Sequence, residues 1–148
     1  MSTNADAPRQ IRSSRVLAAA VTRVYRAFAD PDRLKNWWGP AGFTNTIHEF
    51  DLWPGGKWTL TMHGPENGNY ENASVFTAVD PERRVAWTRR TQPYFDMEVG
   101  FRELEPEATE ISFTMTFPCA EACEKVRRFA TPANEENFDR LERLLATF

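Results

Sequence analysis

The chain has 148 residues, 41% of them hydrophobic and 13% aromatic, and a net charge of −3. That length suits one domain with a real core. The basic pairs Arg83-Arg84, Arg89-Arg90 and Arg127-Arg128 are each diluted by nearby carboxylates, which excludes a nucleic-acid footprint.

Residues 1–10, MSTNADAPRQ, read as a flexible polar tail without the basic flank and apolar stretch of a signal peptide. Val16–Val21 is apolar but far too short to span a bilayer. The expectation is a cytoplasmic protein with no membrane insertion, in which Cys119 and Cys123 are reduced. Residues 11–148 read as a single domain.

RQIRSSRVLAA reads as a first strand, and AVTRVYRAFAD as a helix with Ala20, Val24, Ala27 and Phe28 at helical spacing. Asp30-Pro31 stops that helix and starts a second short one, PDRLKNWW, because Asp caps helix N-termini and Pro suits the first helical position. Gly39-Pro40 ends it. From there the period becomes two. TNTIHEFDL, KWTLTMH, YENASVFTAV, RVAWTRR, YFDMEVGFREL and TEISFTMTF alternate, separated by turns such as Pro54-Gly55-Gly56 and Asp80-Pro81. One face is apolar, with Trp58, Leu60, Met62, Val85, Trp87, Met97, Val99 and Phe101 in step, and the other is polar.

CAEACEKVRRFA is helical, and Thr131-Pro132 reads as the start of a separate last helix, from about Pro132 to Ala146. Its stripe is Phe138, Leu141, Leu145 and Phe148. Cys119 and Cys123, at i and i+4, read as small packing thiols, because the two histidines that could complete a metal site lie far away in sequence. The whole is an α+β chain: a curved antiparallel sheet of six to seven strands around a long C-terminal helix, with two short helices after the first strand.

In this order, VYRAFADPDRLKNWWGPAGF, DLWPGGKWTLTMHGP, ASVFTAVDPERRVAWT, VGFRELEPEATEISFTMTF and FDRLERLL resemble the homologues of the activator of the ninety-kilodalton heat-shock chaperone's ATPase. That family belongs to the START-like, or SRPBCC, superfamily of helix-grip domains. The resemblance covers everything from Arg12 onward and implies a cavity under the long helix, but no one chemistry. Two departures stand out. Where many relatives carry Gly-Trp this chain has Ala133-Asn134, and where relatives often have a Glu it has Ala78.

Four of the five tryptophans, Trp37, Trp38, Trp53 and Trp58, fall within residues 34–58; they read as core, pocket wall or contact surface. Trp53, beside the Pro-Gly-Gly turn, is expected outside. For the rest the pocket is favoured, because a sheet this curved is not filled by one helix. The expected ligand-binding residues are Trp38, Phe43, Trp58, Leu60, Tyr70, Trp87, Met97, Phe101, Asn134 and Phe138. The ligand is a hydrophobic small molecule, lipid-like or aromatic.

No nucleophile motif, phosphate loop or His-Glu-x-x-His occurs, and His48, Tyr70 and Glu98 are only weak acid–base candidates. No catalytic residue, cofactor or metal is assigned. A cyclase- or dehydratase-like activity on a polyketide or aromatic substrate is the alternative. A co-chaperone role is the second alternative, weakened because the eukaryotic domain works as an appendage to another domain outside this sequence. A homodimer is compatible with the sequence.

Overall fold

The structure is a computed structural model that describes residues 7–147, so most of the polar tail expected over residues 1–10, and Phe148 at the end of the helical stripe, lie outside the described residues. After a 3-10 turn at Ala7–Arg9 come strand β1 (Gln10–Leu17), helices α1 (Val21–Ala29) and α2 (Pro31–Trp37), and strands β2 (Thr44–Phe50), β3 (Lys57–His63), β4 (Asn69–Asp80), β5 (Arg84–Arg89), β6 (Asp96–Glu105) and β7 (Ala108–Thr116). Helix α3 (Ala120–Leu145) closes the chain. The seven strands form one antiparallel sheet in the order β1-β7-β6-β5-β4-β3-β2. The architecture is the α+β helix-grip arrangement expected, and among the described residues no helix is long and apolar enough to cross a membrane.

The alternation sets the inner face. Val85 and Trp87, Met97, Val99 and Phe101, and Ile111, Phe113 and Met115 are buried while their neighbours reach outward. Registers Trp87↔Met97 and Met97↔Met115 line these rows up across three strands. One departure is local. A bulge in β2 between Ile47 and Glu49 breaks the alternation, so His48 and Glu49, which a strict period of two would put on opposite faces, are both exposed.

Asp30 caps α2, its side chain accepting from the Asp32 N–H at 3.0 Å, with Pro31 at the first helical position. At the far end of α2, Gly39 has a φ of +96°, a conformation that suits glycine, and its N–H donates to Asn137 Oδ1 at 3.2 Å. Arg140 of α3 then gathers this turn. Its Nη1 donates to the carbonyls of Trp38, Gly39 and Pro40 and its Nη2 to those of Asn36 and Phe43, at 2.9–3.1 Å.

The break expected at Thr131-Pro132 is absent, and α3 runs unbroken through Pro132. An interior proline removes one hydrogen bond and costs about 3 kcal/mol. Pro132 and Arg128 are both exposed, so the carbonyl that loses its partner belongs to the solvent side of the helix. Packing on both sides of the proline offsets the loss, through Cys123 before it and Asn134, Asn137, Phe138, Leu141 and Leu145 after it. Cys123 is the buried packing thiol expected, whereas Cys119 is exposed.

Candidate ligand-binding groove

Helix α3 crosses the sheet with two unlike halves. The C-terminal half carries Phe138 and Leu141, both 0% exposed, and presses onto the aromatic core. Phe113 lies 4.6 Å from Phe138, centroid to centroid. Phe28 from α1 stacks on Trp87 at 5.6 Å and meets Trp58 edge-on at 5.8 Å, while Trp38 sits 5.3 Å from Trp58 and 5.7 Å from Phe113. These are the offset and edge-to-face separations that ring quadrupoles favour. The rings interleave so fully that the space bordered by Trp38, Trp58, Leu60, Trp87 and Met97 amounts to about 40 Å³. A site for a drug-sized molecule needs roughly 300 Å³ or more.

The N-terminal half of α3 leaves a groove instead. Val126, Phe129, Ala130 and Ala133 face Met62 at the end of β3, Tyr70 and Asn72 at the start of β4, and the loop after β5. Pro40 and Phe43 form the rim on the α2 side. The groove holds about 670 Å³ and is open to solvent along one side. Small helix residues, Ala130 and Ala133, make the room, and aromatic groups flank it. Phe129 is 64% and Tyr70 55% exposed, and the Tyr70 ring is 6.1 Å from that of Phe43.

One charged group belongs to this floor. Strand β5 places Val85, Trp87 and Arg89 in step, so Arg89 follows two buried residues onto the inner face. Its Nε donates to Pro93 O at 2.9 Å, its Nη2 to Gln92 O at 3.0 Å and its Nη1 to Asn72 Oδ1. Its guanidinium carbon lies 5.5 Å from the Phe95 ring centroid. Burial pulls its pKa below the ordinary arginine value. Among the described residues no carboxylate stands within ion-pair distance of it. Glu71, also on the rim, has both carboxylate oxygens 2.9 Å from the Thr61 hydroxyl.

A profile of the family described as "Activator of Hsp90 ATPase homolog 1-like protein" matches residues 18–146. The chain belongs to this family. Among solved structures it is similar to a protein from Nitrosomonas europaea, with TM-score 0.87 and 22% identity over 96% of this chain and 97% of that one. It is similar to one from Mycobacterium smegmatis as well, with TM-score 0.85 and 26% identity over 96% and 94%. An AHSA1-like protein from Aeromonas hydrophila shares the fold, with TM-score 0.71 and 17% identity over 90% and 93%. No protein with a curated description matches the sequence.

The ten residues expected at the site divide among several places. Trp38, Trp58, Leu60, Trp87 and Met97 border the small space in the core. Phe43 and Tyr70 line the groove. Phe101 lies elsewhere, 5.3 Å from Tyr25 and beside a depression with Val21 and Glu82. Asn134 turns to β1 and β7, donating to Ser13 Oγ at 3.2 Å and to Met115 Sδ at 3.6 Å. Phe138 is core under the Arg15 guanidinium, 5.6 Å away. Trp53 is 60% exposed at its turn.

The acid–base candidates are scattered too. His48 Nε2 pairs with Thr61 Oγ1 at 2.8 Å at the border of a polar depression between α2 and β2, and Glu98 pairs outside with Arg84 at 3.1 Å. Tyr70 alone of the three reaches the groove. Among the described residues no group of three His, Cys, Asp or Glu could hold a metal. Sequence reasoning passed over Phe129, Val126 and Arg89 as site residues. The signal for Arg89 was its phase: a charge two residues after Trp87 on an inward-facing row.

Proposed function

We propose that this family member binds a small, mostly apolar molecule in the groove between the N-terminal half of α3 and the ends of β3, β4 and β5. The observation that carries the reading is the groove itself: about 670 Å³ flanked by exposed Phe129 and Tyr70, in a chain whose core otherwise closes to about 40 Å³. Exposed aromatic rings lose free energy to water, and an apolar ligand covering one is worth about 1.5–3 kcal/mol. Binding is favoured over acid–base catalysis because, of the three acid–base candidates, only Tyr70 lines the groove, while His48 and Glu98 are engaged outside it.

The test is a titration with N-phenyl-1-naphthylamine, an uncharged dye that brightens when it leaves water. Saturable uptake by the native chain is expected, and Phe129→Asp should weaken it about tenfold or more, since tenfold corresponds to 1.4 kcal/mol. Phe129 is 64% exposed, so the thermal midpoint of that variant should stay within a few degrees of the native one. Absence of saturable uptake, or uptake indifferent to Phe129→Asp, overturns the reading.

A further inference from the structure

Arg89 is arranged oddly for a structural residue. It stands half-buried on the inner face, in line with Val85 and Trp87, where the sheet otherwise places apolar groups. A cation taken from water without a counter-ion is costly, and natural chains pair such groups or expose them. Among the described residues Arg89 has only neutral partners: two loop carbonyls, an amide oxygen and the face of Phe95.

Counting donors sharpens the point. Arginine carries five N–H groups, one on Nε and two on each terminal nitrogen. Nε is spent on Pro93, one N–H of Nη2 on Gln92 and one of Nη1 on Asn72. One N–H on each terminal nitrogen therefore has no partner among the described residues. The three bonds that are made fix the plane of the fork, so little side-chain freedom remains to be lost when a ligand arrives. It lines the groove together with Phe95 and Pro93, both of which it touches.

Resting on the groove reading above, we propose that the ligand is a monocarboxylate with an apolar body, and that Arg89 grips its carboxylate while Phe43, Tyr70 and Phe129 cover the body. Two N–H groups left over on one guanidinium can serve the two oxygens of a planar carboxylate with charge-assisted bonds. The groove then supplies the division of labour usual in small-molecule sites, a mostly apolar lining with a placed cation, while the Glu71 carboxylate on the rim is engaged by the Thr61 hydroxyl. The ligand also supplies the counter-ion that the protein withholds from Arg89. A carboxylate and its alcohol share the same apolar body, so the difference between them reports Arg89 and the common part reports the groove.

The experiment displaces N-phenyl-1-naphthylamine from the native chain with matched pairs at pH 7.5: dodecanoate against 1-dodecanol, and 2-naphthoate against 2-naphthalenemethanol. Charge-assisted hydrogen bonds are roughly twice as strong as the neutral ones an alcohol makes, so in at least one pair the acid should bind ten- to a hundredfold tighter than the alcohol. Preference within the dodecyl pair identifies an aliphatic acid, and within the naphthyl pair an aromatic one. In Arg89→Gln the acid-to-alcohol ratio should fall to about one, read as a ratio so that a general loosening of the site cancels. Alcohols that bind as well as their acids to the native chain overturn the proposal and leave the groove reading standing. A ratio unchanged in Arg89→Gln overturns it too. If neither acid nor alcohol displaces the dye, groove and proposal fail together.

Discussion

The two halves of α3 lie over the same sheet and end in opposite results. Over β1 and β7 the helix offers Phe138, Leu141 and Leu145, and the rings of Phe113, Trp38 and Phe28 close the space to about 40 Å³. Over the ends of β3, β4 and β5 it offers Ala130, Ala133 and Val126, and the aromatic groups there stand at the rim. Side-chain volume on one helix thus decides which half becomes core and which becomes a site. Curvature of the sheet provides the space; it does not say which end keeps it.

Substitution of Phe138 should break the closed half with the largest effect. Phe138→Ala removes a fully buried ring and leaves a cavity that Phe113 and the Arg15 stem cannot close, costing about 3–5 kcal/mol. Urea unfolding measures the loss. Dye affinity extrapolated to the folded fraction should match the native chain. A matching fall in affinity would show the two halves to be one continuous site.

Arg140 joins the halves and gives the next largest effect. It projects from the closed half, yet the carbonyls of Pro40 and Phe43 that it holds belong to the groove rim. It also accommodates the C-terminal carbonyls of α2, where a cation is favoured by the helix dipole. Burial lowers its pKa, with Arg143 adding to the effect, but the side chain stays charged at neutral pH. Arg140→Met, which keeps the apolar stem, should lower stability by about 2–3 kcal/mol and weaken dye binding severalfold. Loss of stability with unchanged affinity would separate the rim from its anchor.

This contrast also explains what could be read from sequence. The strands were legible because each has one face against the core, and Met97, Val99 and Phe101 or Ile111, Phe113 and Met115 keep strict phase. The short helices were legible from Asp30-Pro31 and Gly39-Pro40. Pro132 misled, because a local breaker was outweighed by tertiary packing that local rules do not see. The bulge at His48 was likewise invisible to a strict period of two. The space beside the tryptophans amounts to only about 40 Å³ for a reason that periodicity does not carry. Periodicity tells which way Trp58 and Trp87 point, but not that Phe28, arriving from α1, stacks into the space before them. Phase alone could have raised Arg89, whereas the width of the groove depends on how far Ala130 and Ala133 stand from β4, a distance no local pattern encodes.

The smallest effect distinguishes two tryptophans of the closed half. Trp37 is 0% and Trp58 2% exposed, so their apolar burial is alike. Their indole N–H groups are not. Trp37 Nε1 donates to the carbonyl of Ala27 at 2.8 Å, and it does so where the helix cannot, because the residue four positions on is Pro31, which has no N–H. Trp58 Nε1 is buried with no hydrogen-bond partner among the described residues. Trp37→Phe therefore strands a buried carbonyl, whereas Trp58→Phe removes a donor that was already unpaired. Both shrink the ring, but the first should cost about 1–3 kcal/mol more than the second, since that is the penalty for leaving a buried polar group unmatched. Paired urea titrations of the two variants measure the difference directly. Equal losses would mean that the Ala27 carbonyl finds another donor once the indole is gone. In that case the Trp37 bond is incidental to the joint between α1 and α2, and ring volume alone governs the stability of this half.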